Sequence, residues 1–446
     1  MANIQTKIKQ NITKHPLIAG SFLLTLAGFI SRLVGFFYRI YLSQLFGEEG
    51  MGVYQLLSPV IALSFSLTAA CFQTAISKFV AERTKEFHNT PSFRPLLMGL
   101  SISLPASVLL TLGLIQGSDF IALRFLQEPR TASMLRIYAL SVPLSAAHAC
   151  INGYFYGLKK AAVPATCQLI EQFCRVLSVY VITSIGIVQG SAPTLNVTVI
   201  GVVIGEIIST LVTLTAFFRH ISVNRIPYTP AKSISYGTLL AMIMPLIANR
   251  ITLNLLQSIE TVSIPAKLRL YGYDNSTALS VYGVLTGMAF PLLFFPNAIT
   301  GSFAVLLLPL ISERISLGDT AGVKQLTVKT IRYCSILGFS CMSIFLLFGG
   351  LLGKVLFDSE LAGFFISTLS FICPFLYLNN TLSAILQGMG KVLPLFIINV
   401  AALLIRLLFI YLFIPIYGIQ GYLWGLLVSQ LFLSTAYLFI TIRAHR

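Results

Sequence analysis

Eight ionisable side chains lie inside runs of sequence otherwise apolar enough to cross a lipid bilayer: Arg32, Arg39, Arg175, Arg250 and Arg406 against Glu171, Glu206 and Glu260. Ionised groups at that depth cost several kcal/mol when they face lipid, so they are expected to face one another or a polar cavity. With five positive and three negative groups, such a cavity carries a net positive charge and suits an anion. A guanidinium binds phosphate through two parallel N–H donors, which makes a phosphate or pyrophosphate headgroup the natural cargo. A cavity built for cationic drugs would instead be net acidic. Carboxylates in the same setting can carry a proton or another cation, and Glu206, Glu171 and Glu260 are the candidates for ion coupling.

Position sharpens these roles. Arg32 sits 15 residues into the first apolar run, roughly 22 Å from its inner end by helical rise. Arg250 lies in the seventh run within IANRITLNL, flanked by Asn249 and Asn254. Arg32 precedes Tyr54 by 22 residues and Arg250 precedes Tyr282 by 32, so a longer outer loop in the second half makes the two arginines counterparts. Arg39, a turn or two further on, either joins them or snorkels to the outer headgroups. Glu171 precedes Arg175 by one helical turn in the favourable order for an intrahelical pair. Arg406 has Ala402 at the matching place and is therefore more open to a binding role, unless Glu206 or another partner neutralises it. The expected substrate-binding set is Arg32, Arg250, Arg39, Asn249, Asn254 and Arg406. Glu260, near the outer end of its run, is expected to be solvated.

No catalytic constellation accompanies these groups. There is no Gly-rich phosphate loop followed by Lys-Ser/Thr and no His-Glu-x-x-His, and the five histidines are isolated. Of these only His148 is mid-membrane, where a packed or hydrogen-bonded role is expected. The seven cysteines all fall in apolar segments without a CxxC pair, which speaks against a disulfide framework or a zinc site. Neither enzyme activity, a cofactor nor a bound metal is expected, so transport must draw on an ion gradient, the membrane potential or the cargo's own gradient.

The elements that position these residues are membrane helices. A mean hydropathy of +0.86, with 56% hydrophobic and 10% charged residues, lies outside the soluble range. Twelve apolar runs of spanning length can be laid down: Leu17–Phe46, Met51–Val80, Leu96–Gly117, Met134–Tyr156, Ala165–Val188, Val197–Phe218, Tyr236–Ile259, Leu279–Leu310, Cys334–Phe357, Leu361–Leu386, Leu393–Ile414 and Tyr422–Ile442. With the N-terminus inside, 19 of the 30 lysines and arginines fall in inner segments and six in outer ones. That bias places both termini in the cytoplasm of a multi-pass protein of the cell membrane. The net charge of +16 is then mainly a topology signal and an attraction to anionic lipid headgroups, with nucleic acid not expected as a partner. The first run continues past signal-peptide length and contains Arg32 and Arg39, so it reads as a helix that is retained.

The chain also repeats itself. Pro143 recurs as Pro374, Gly157 as Gly388, Lys160 as Lys391, Arg175 as Arg406 and Tyr180 as Tyr411, each 231 residues on; Val53-Tyr54 recurs as Val281-Tyr282. Six crossings per repeat make the halves parallel, related by an axis along the membrane normal. The expected architecture is all-α, with twelve transmembrane helices in two six-helix lobes, residues 1–226 and 227–446, joined through the polar stretch between Arg219 and Ser235. The segment Glu313–Arg332 is expected as a short amphipathic helix on the inner face. Glycine pairs such as Gly201/Gly205 and Gly283/Gly287 suit close helix packing, and prolines inside the runs, Pro143 and Pro374 among them, imply bent helices.

The run GFISRLVGFFYRIYLSQLFGEEGMGVYQ from Gly28 to Gln55, followed by AISKFVAER from Ala75 to Arg83, resembles the stage V sporulation protein B and polysaccharide-biosynthesis branch of the multidrug/oligosaccharidyl-lipid/polysaccharide exporter superfamily. The turn Phe46-Gly47-Glu48-Glu49-Gly50 with Gly52-Val53-Tyr54 is its most specific part. The resemblance implies a MATE-like fold and a flippase or exporter of lipid-linked saccharides that works by rocking of its lobes. In the related lipid II flippases a Ser-Arg-x-x-Gly run supplies a cavity arginine, which carries over to Ser31, Arg32 and Gly35. Their second arginine, six residues later, falls here on Tyr38, with Arg39 one further on. Those flippases have two more C-terminal helices that hold the lipid tail; no run here corresponds to them, and a tail groove of that kind is not expected. The leading expectation is translocation of an anionic lipid-linked cell-wall, spore-cortex or polysaccharide precursor by a monomer, with Arg32 and Arg250 on its phosphates. The rivals are an H+- or Na+-coupled multidrug antiporter and a non-transporting scaffold for envelope assembly.

Overall fold

A computed structural model describes residues 16–86, 93–224 and 235–444, and all regular structure among them is helical. The helices are α1 (Pro16–Gln55), α2 (Ser58–Glu82), α3 (Arg94–Phe125), α4 (Thr131–Ala139 and Ser141–Gly157), α5 (Ala162–Val188), α6 (Asn196–Val223), α7 (Tyr236–Tyr271), α8 (Asn275–Phe294), α9 (Asn297–Ser316), α10 (Thr320–Phe357), α11 (Glu360–Gly388), α12 (Val392–Leu412) and α13 (Ile419–Ala444). Eleven of these are long and apolar enough to cross a membrane, and the bent α4 makes a twelfth. Each of the twelve expected spans overlaps one of them. Leu109, Phe120 and Leu347 are about 70% exposed or more, as side chains that face lipid should be.

Proline and glycine decide where the helices break. Pro143 lacks an N–H and its ring crowds the carbonyl four residues back, at Ala139, which is where α4 bends by 43°. Its repeat counterpart Pro374 acts at Ser370, where α11 tightens into a 3-10 turn over Ser370–Ile372. The single apolar run expected over Leu279–Leu310 is two helices, α8 and α9, parted at Phe295–Pro296. Gly47 interrupts α1 with φ 67° and ψ −171°, a conformation open to glycine because it has no Cβ.

One expectation requires correction. Glu313–Arg332 is not a separate surface helix: α9 runs to Ser316, Gly318 turns the chain at φ 73°, and Asp319 caps α10 by accepting from the Gly322 amide at 2.7 Å. From that cap α10 continues unbroken to Phe357, so the amphipathic stretch is the polar inner end of a spanning helix. The expected linker around Pro227 and Pro230, with the boundary between residues 226 and 227, lies outside the described residues.

By contacts the described residues form two compact units, one made of those up to Val34 and from Val60 to Thr252, the other of those from Gly35 to Pro59 and from Leu253 onward. The first is centred on Cys71, Phe72, Ile76, Cys150, Tyr154 and Phe155, where α2, α3 and α4 meet. The second contains the cluster of Ile311, Leu382, Ile385, Leu386 and Tyr437. It also takes in residues 35–59 of the first repeat. Gly52 lies so close to the backbone of Leu279, and Gly283 to that of Glu48 and Gly52, that a Cβ on either would collide. Glu49 accepts from Ser276 Oγ at 2.5 Å and Glu48 from Ser359 Oγ at 2.5 Å, which fastens the same segment to the start of α8 and to the N-cap of α11.

Candidate anion pocket and buried charge clusters

Arg250 opens onto a cavity of about 300 Å³ within the first unit, lined also by Phe65, Ala70, Gln73, Thr74, Ser77 and Tyr156. Ala70, Gln73, Thr74 and Ser77 recur at helical spacing along α2 and so present one face. Ser66–Ala70, which ends at the first of them, is a π-turn, a local widening that is common at functional sites. Ser103 Oγ donates to the Thr68 carbonyl within that turn. The wall therefore offers an amide, two hydroxyls and a phenol around one guanidinium. Such a set can hold a phosphate with the charge carried by the arginine and the remaining oxygens bonded by neutral donors.

The five intramembrane arginines divide by partner. Arg175 pairs with Glu171 across one helical turn, as expected from their spacing. Arg39 donates to the Thr286 carbonyl at 3.4 Å, which Gln55 also approaches, in the π-turn Val284–Ala289 of α8. Arg406 is neutralised by Glu260 at 3.2 Å, and Glu260 accepts a second bond from Tyr422 OH at 2.7 Å. Glu260 is 6% exposed, which corrects the expectation that it is solvated: α7 turns its acid toward α12 and α13. Arg32 and Arg250 are exposed and have no acidic partner among the described residues. Asn249 and Asn254 are half-buried on α7, and neither lines the Arg250 cavity.

A second cavity of about 110 Å³ lies in the second unit beside Arg406, bounded by Gln257, Asn399, Ser429 and Gln430 among others. The neighbouring polar groups are neutral and mutually bonded. Asn379 donates to the side chain of Gln430 at 2.8 Å and accepts from Ser434 at 2.7 Å, and Tyr437 donates to Asn399 at 3.0 Å.

The remaining acid, Glu206 of α6, faces His148 of α4, with Oε2 3.5 Å from Nδ1. The other imidazole nitrogen, Nε2, is 3.3 Å from Ser209 Oγ. Ligating atoms of His148, Glu171 and Glu206 all lie within 4.8 Å of one another. His148 is thus hydrogen-bonded, as expected of a lone mid-membrane histidine, but its company with two carboxylates was not visible in sequence because three different helices supply it. The pocket residues of α2 had a legible signal, a polar stripe at helical spacing in an apolar run.

Comparison with known proteins gives this architecture relatives. The family described as "Polysaccharide biosynthesis protein" matches residues 17–314. Stage V sporulation protein B of Bacillus subtilis (strain 168) is 28% identical over 417 residues, 92% of this chain and 80% of the relative. Lipid II flippase MurJ of the same organism is 26% identical over 175 residues, which cover 36% of this chain and 31% of that protein. Among solved structures, an inward-facing multidrug resistance MATE family transporter of the MOP superfamily superposes with a TM-score of 0.69 at 16% identity, covering 95% of this chain and 98% of that one. The likeness to the last is one of fold.

Proposed function

Because the chain belongs to the polysaccharide biosynthesis protein family, we propose that it is a membrane transporter carrying an anionic lipid-linked saccharide precursor across the bilayer by alternating access, with Arg250 and Arg32 engaging the phosphates. The observation that carries this reading is the sorting of the arginines. Arg175 and Arg406 are spent on internal acids and Arg39 on a carbonyl, whereas Arg250 faces a polar cavity with no protein anion in it. A cation within a membrane-spanning helix and without a counter-ion is costly, and an anionic cargo supplies that counter-ion transiently. One relative supports this reading, being by its name a lipid II flippase. Residence in the cytoplasmic membrane with both termini inside, function as a monomer and a division near residue 226 complete the proposal.

The test is reconstitution in liposomes with a fluorescent polyprenyl-pyrophosphate disaccharide. Arg32→Ala with Arg250→Ala should reduce headgroup translocation to the protein-free rate while thermal unfolding stays cooperative. Wild-type rates in the folded double variant would sink the reading. A cation-coupled drug antiporter has one observation in its favour, the His148–Glu171–Glu206 cluster. It predicts cationic-dye export that survives loss of both arginines and ceases in Glu206→Gln.

A further inference from the structure

The cluster of His148, Glu171, Arg175 and Glu206 is one positive charge short. Glu171 is matched by Arg175, and Glu206 by nothing but an imidazole, which supplies a positive charge only when it takes up a proton. These side chains are 13% to 23% exposed, and they sit on three helices of the first unit. Glu206 Oε2 is screened from solvent and accepts no hydrogen bond in the structure. The other titratable groups facing the cluster are Tyr138, from the first part of α4, and Cys167 of α5. Neither supplies a cation. An uncompensated carboxylate in a membrane helix bundle is expensive, so the cluster has a standing demand for one more positive charge.

The repeat shows that this demand is not a structural necessity. Adding 231 gives Asn379 for His148, Ala402 for Glu171 and Arg406 for Arg175; on the last helix, which starts closer to its predecessor in the second half, Gln430 meets Asn379 as Glu206 meets His148. In the second unit those places form a neutral network, in which Asn379 donates to Gln430 and accepts from Ser434, as His148 meets Glu206 and Ser209 in the first. The acid that neutralises Arg406 comes from α7 instead. The same fold position is thus held together by amides and hydroxyls in one unit and by three titratable side chains in the other. Packing explains the first arrangement; the second needs a reason that involves charge.

We propose that His148 and Glu206, backed by Glu171, form a binding site for a single proton whose uptake and release are coupled to transport. In the empty state the imidazole is neutral, with Nδ1–H toward Glu206 and Nε2 facing the Ser209 hydroxyl. The incoming proton bonds to His148 Nε2 and brings the cluster from a charge of minus one to zero; no other bond within the protein is made or broken. A metal ion fits poorly. Arg175 already occupies Glu171, which leaves one carboxylate and one imidazole, fewer ligands than a hard cation such as Ca²⁺ or Mg²⁺ takes. The inference deepens the proposed function by naming its energy source, yet occupancy of the site can be read with no cargo present, so its failure is separable from failure of the cargo assignment.

The experiment uses the full chain in lipid nanodiscs with nitrogen-15 labelled histidine, the His148 signal being identified by its loss in His148→Asn, which installs the residue the second unit carries. His148 should take up a proton between about pH 5 and pH 8, and Glu206→Gln should lower its proton affinity by about tenfold or more. Replacing choline chloride by sodium chloride should change neither. A His148 that stays neutral or stays charged over that range overturns the site, as does a titration untouched by Glu206→Gln; displacement of the proton by sodium overturns the proton as its ligand. The wild-type titration decides the matter if Glu206→Gln does not fold. In liposomes, an imposed pH gradient should change the rate of headgroup translocation by wild type and leave His148→Asn unresponsive, and a wild-type rate indifferent to the gradient overturns the coupling.

Discussion

Glu260 and Arg406 bind each other 146 positions apart in the chain, on helices that no local rule connects. Each is mostly buried and each has a further demand for partners, which Tyr422 meets on the acidic side. Breaking a buried pair leaves the surviving charge stranded, at a cost of about 3–5 kcal/mol, whereas neutralising both partners costs far less. Arg406→Ala should therefore lower the melting temperature in detergent sharply, and Glu260→Gln combined with Arg406→Gln should recover most of the loss. A double variant as unstable as the single one would show that the pair's charge is not what matters. The contrast with Arg175 explains what could be read in advance. Its acid stands one helical turn away and was legible as a pair from spacing alone. For Arg406 the equivalent place on its own helix holds Ala402, which leaves Glu206 or another acid as its partner by sequence, and the structure supplies Glu260 from α7. Sequence spacing reports contacts along a helix; contacts between helices depend on rotations that hydropathy does not encode, which is also why the cluster around His148 escaped notice.

The helices themselves carry their own grammar of starts and stops. Asp274 caps α8 by accepting from the Ser276 amide at 3.2 Å, and a hydrogen bond from the Thr277 hydroxyl holds its carboxyl below the usual aspartate range. The stability this cap contributes is fully present above the ordinary aspartate value and is lost as pH falls through the depressed folded value. Amides in the first turn of α8 should accordingly stay protected from hydrogen exchange down to about pH 4 and open below it; opening already at about pH 6 would contradict the assignment. Close approach obeys a similarly local rule. Gly52 lies against the Leu279 backbone, while Gly28 has open space around its missing Cβ. Gly52→Leu should destabilise the protein by about 1–3 kcal/mol or more, since backbone cannot move aside as a side chain can, and Gly28→Ala should be neutral or slightly stabilising in the same thermal assay. Pro143, Pro296 and Pro374 were legible as bends from their places in apolar runs; that the bend at Pro296 parts the run into two helices, α8 and α9, was not, because the hydrophobic run continues across it.

At the scale of the molecule, the twelve spans were readable because a bilayer requires about twenty apolar residues of each crossing helix, a constraint written directly into composition. Their sidedness rests on the lysine and arginine bias. Single cysteines placed at Asp274 and Asp358 should react with an impermeant maleimide in intact cells, and cysteines at Asn3 or Arg446 should not; the reverse pattern would invert the topology. The division into contact units was not readable, since it follows packing and departs from the repeat. Chain connectivity passes between the units at Val34–Gly35, Pro59–Val60 and Thr252–Leu253, and the first and last of these lie within helical stretches of α1 and α7. A rod clamped at both ends transmits torque. Whenever one unit turns, α1 and α7 must either twist along their length or yield at the passage point, and an α-helix twists elastically only a little before its hydrogen bonds lengthen. Gly35 supplies such a yield point in α1. In α7 the nearest weakness is Pro245, which removes one bond of the ladder a little before the passage point. The two helices that carry Arg32 and Arg250 are thus the ones whose length is shared between the units, and if the units rotate as the proposed alternating access requires, torsion along these helices would act close to the residues proposed to grip the cargo.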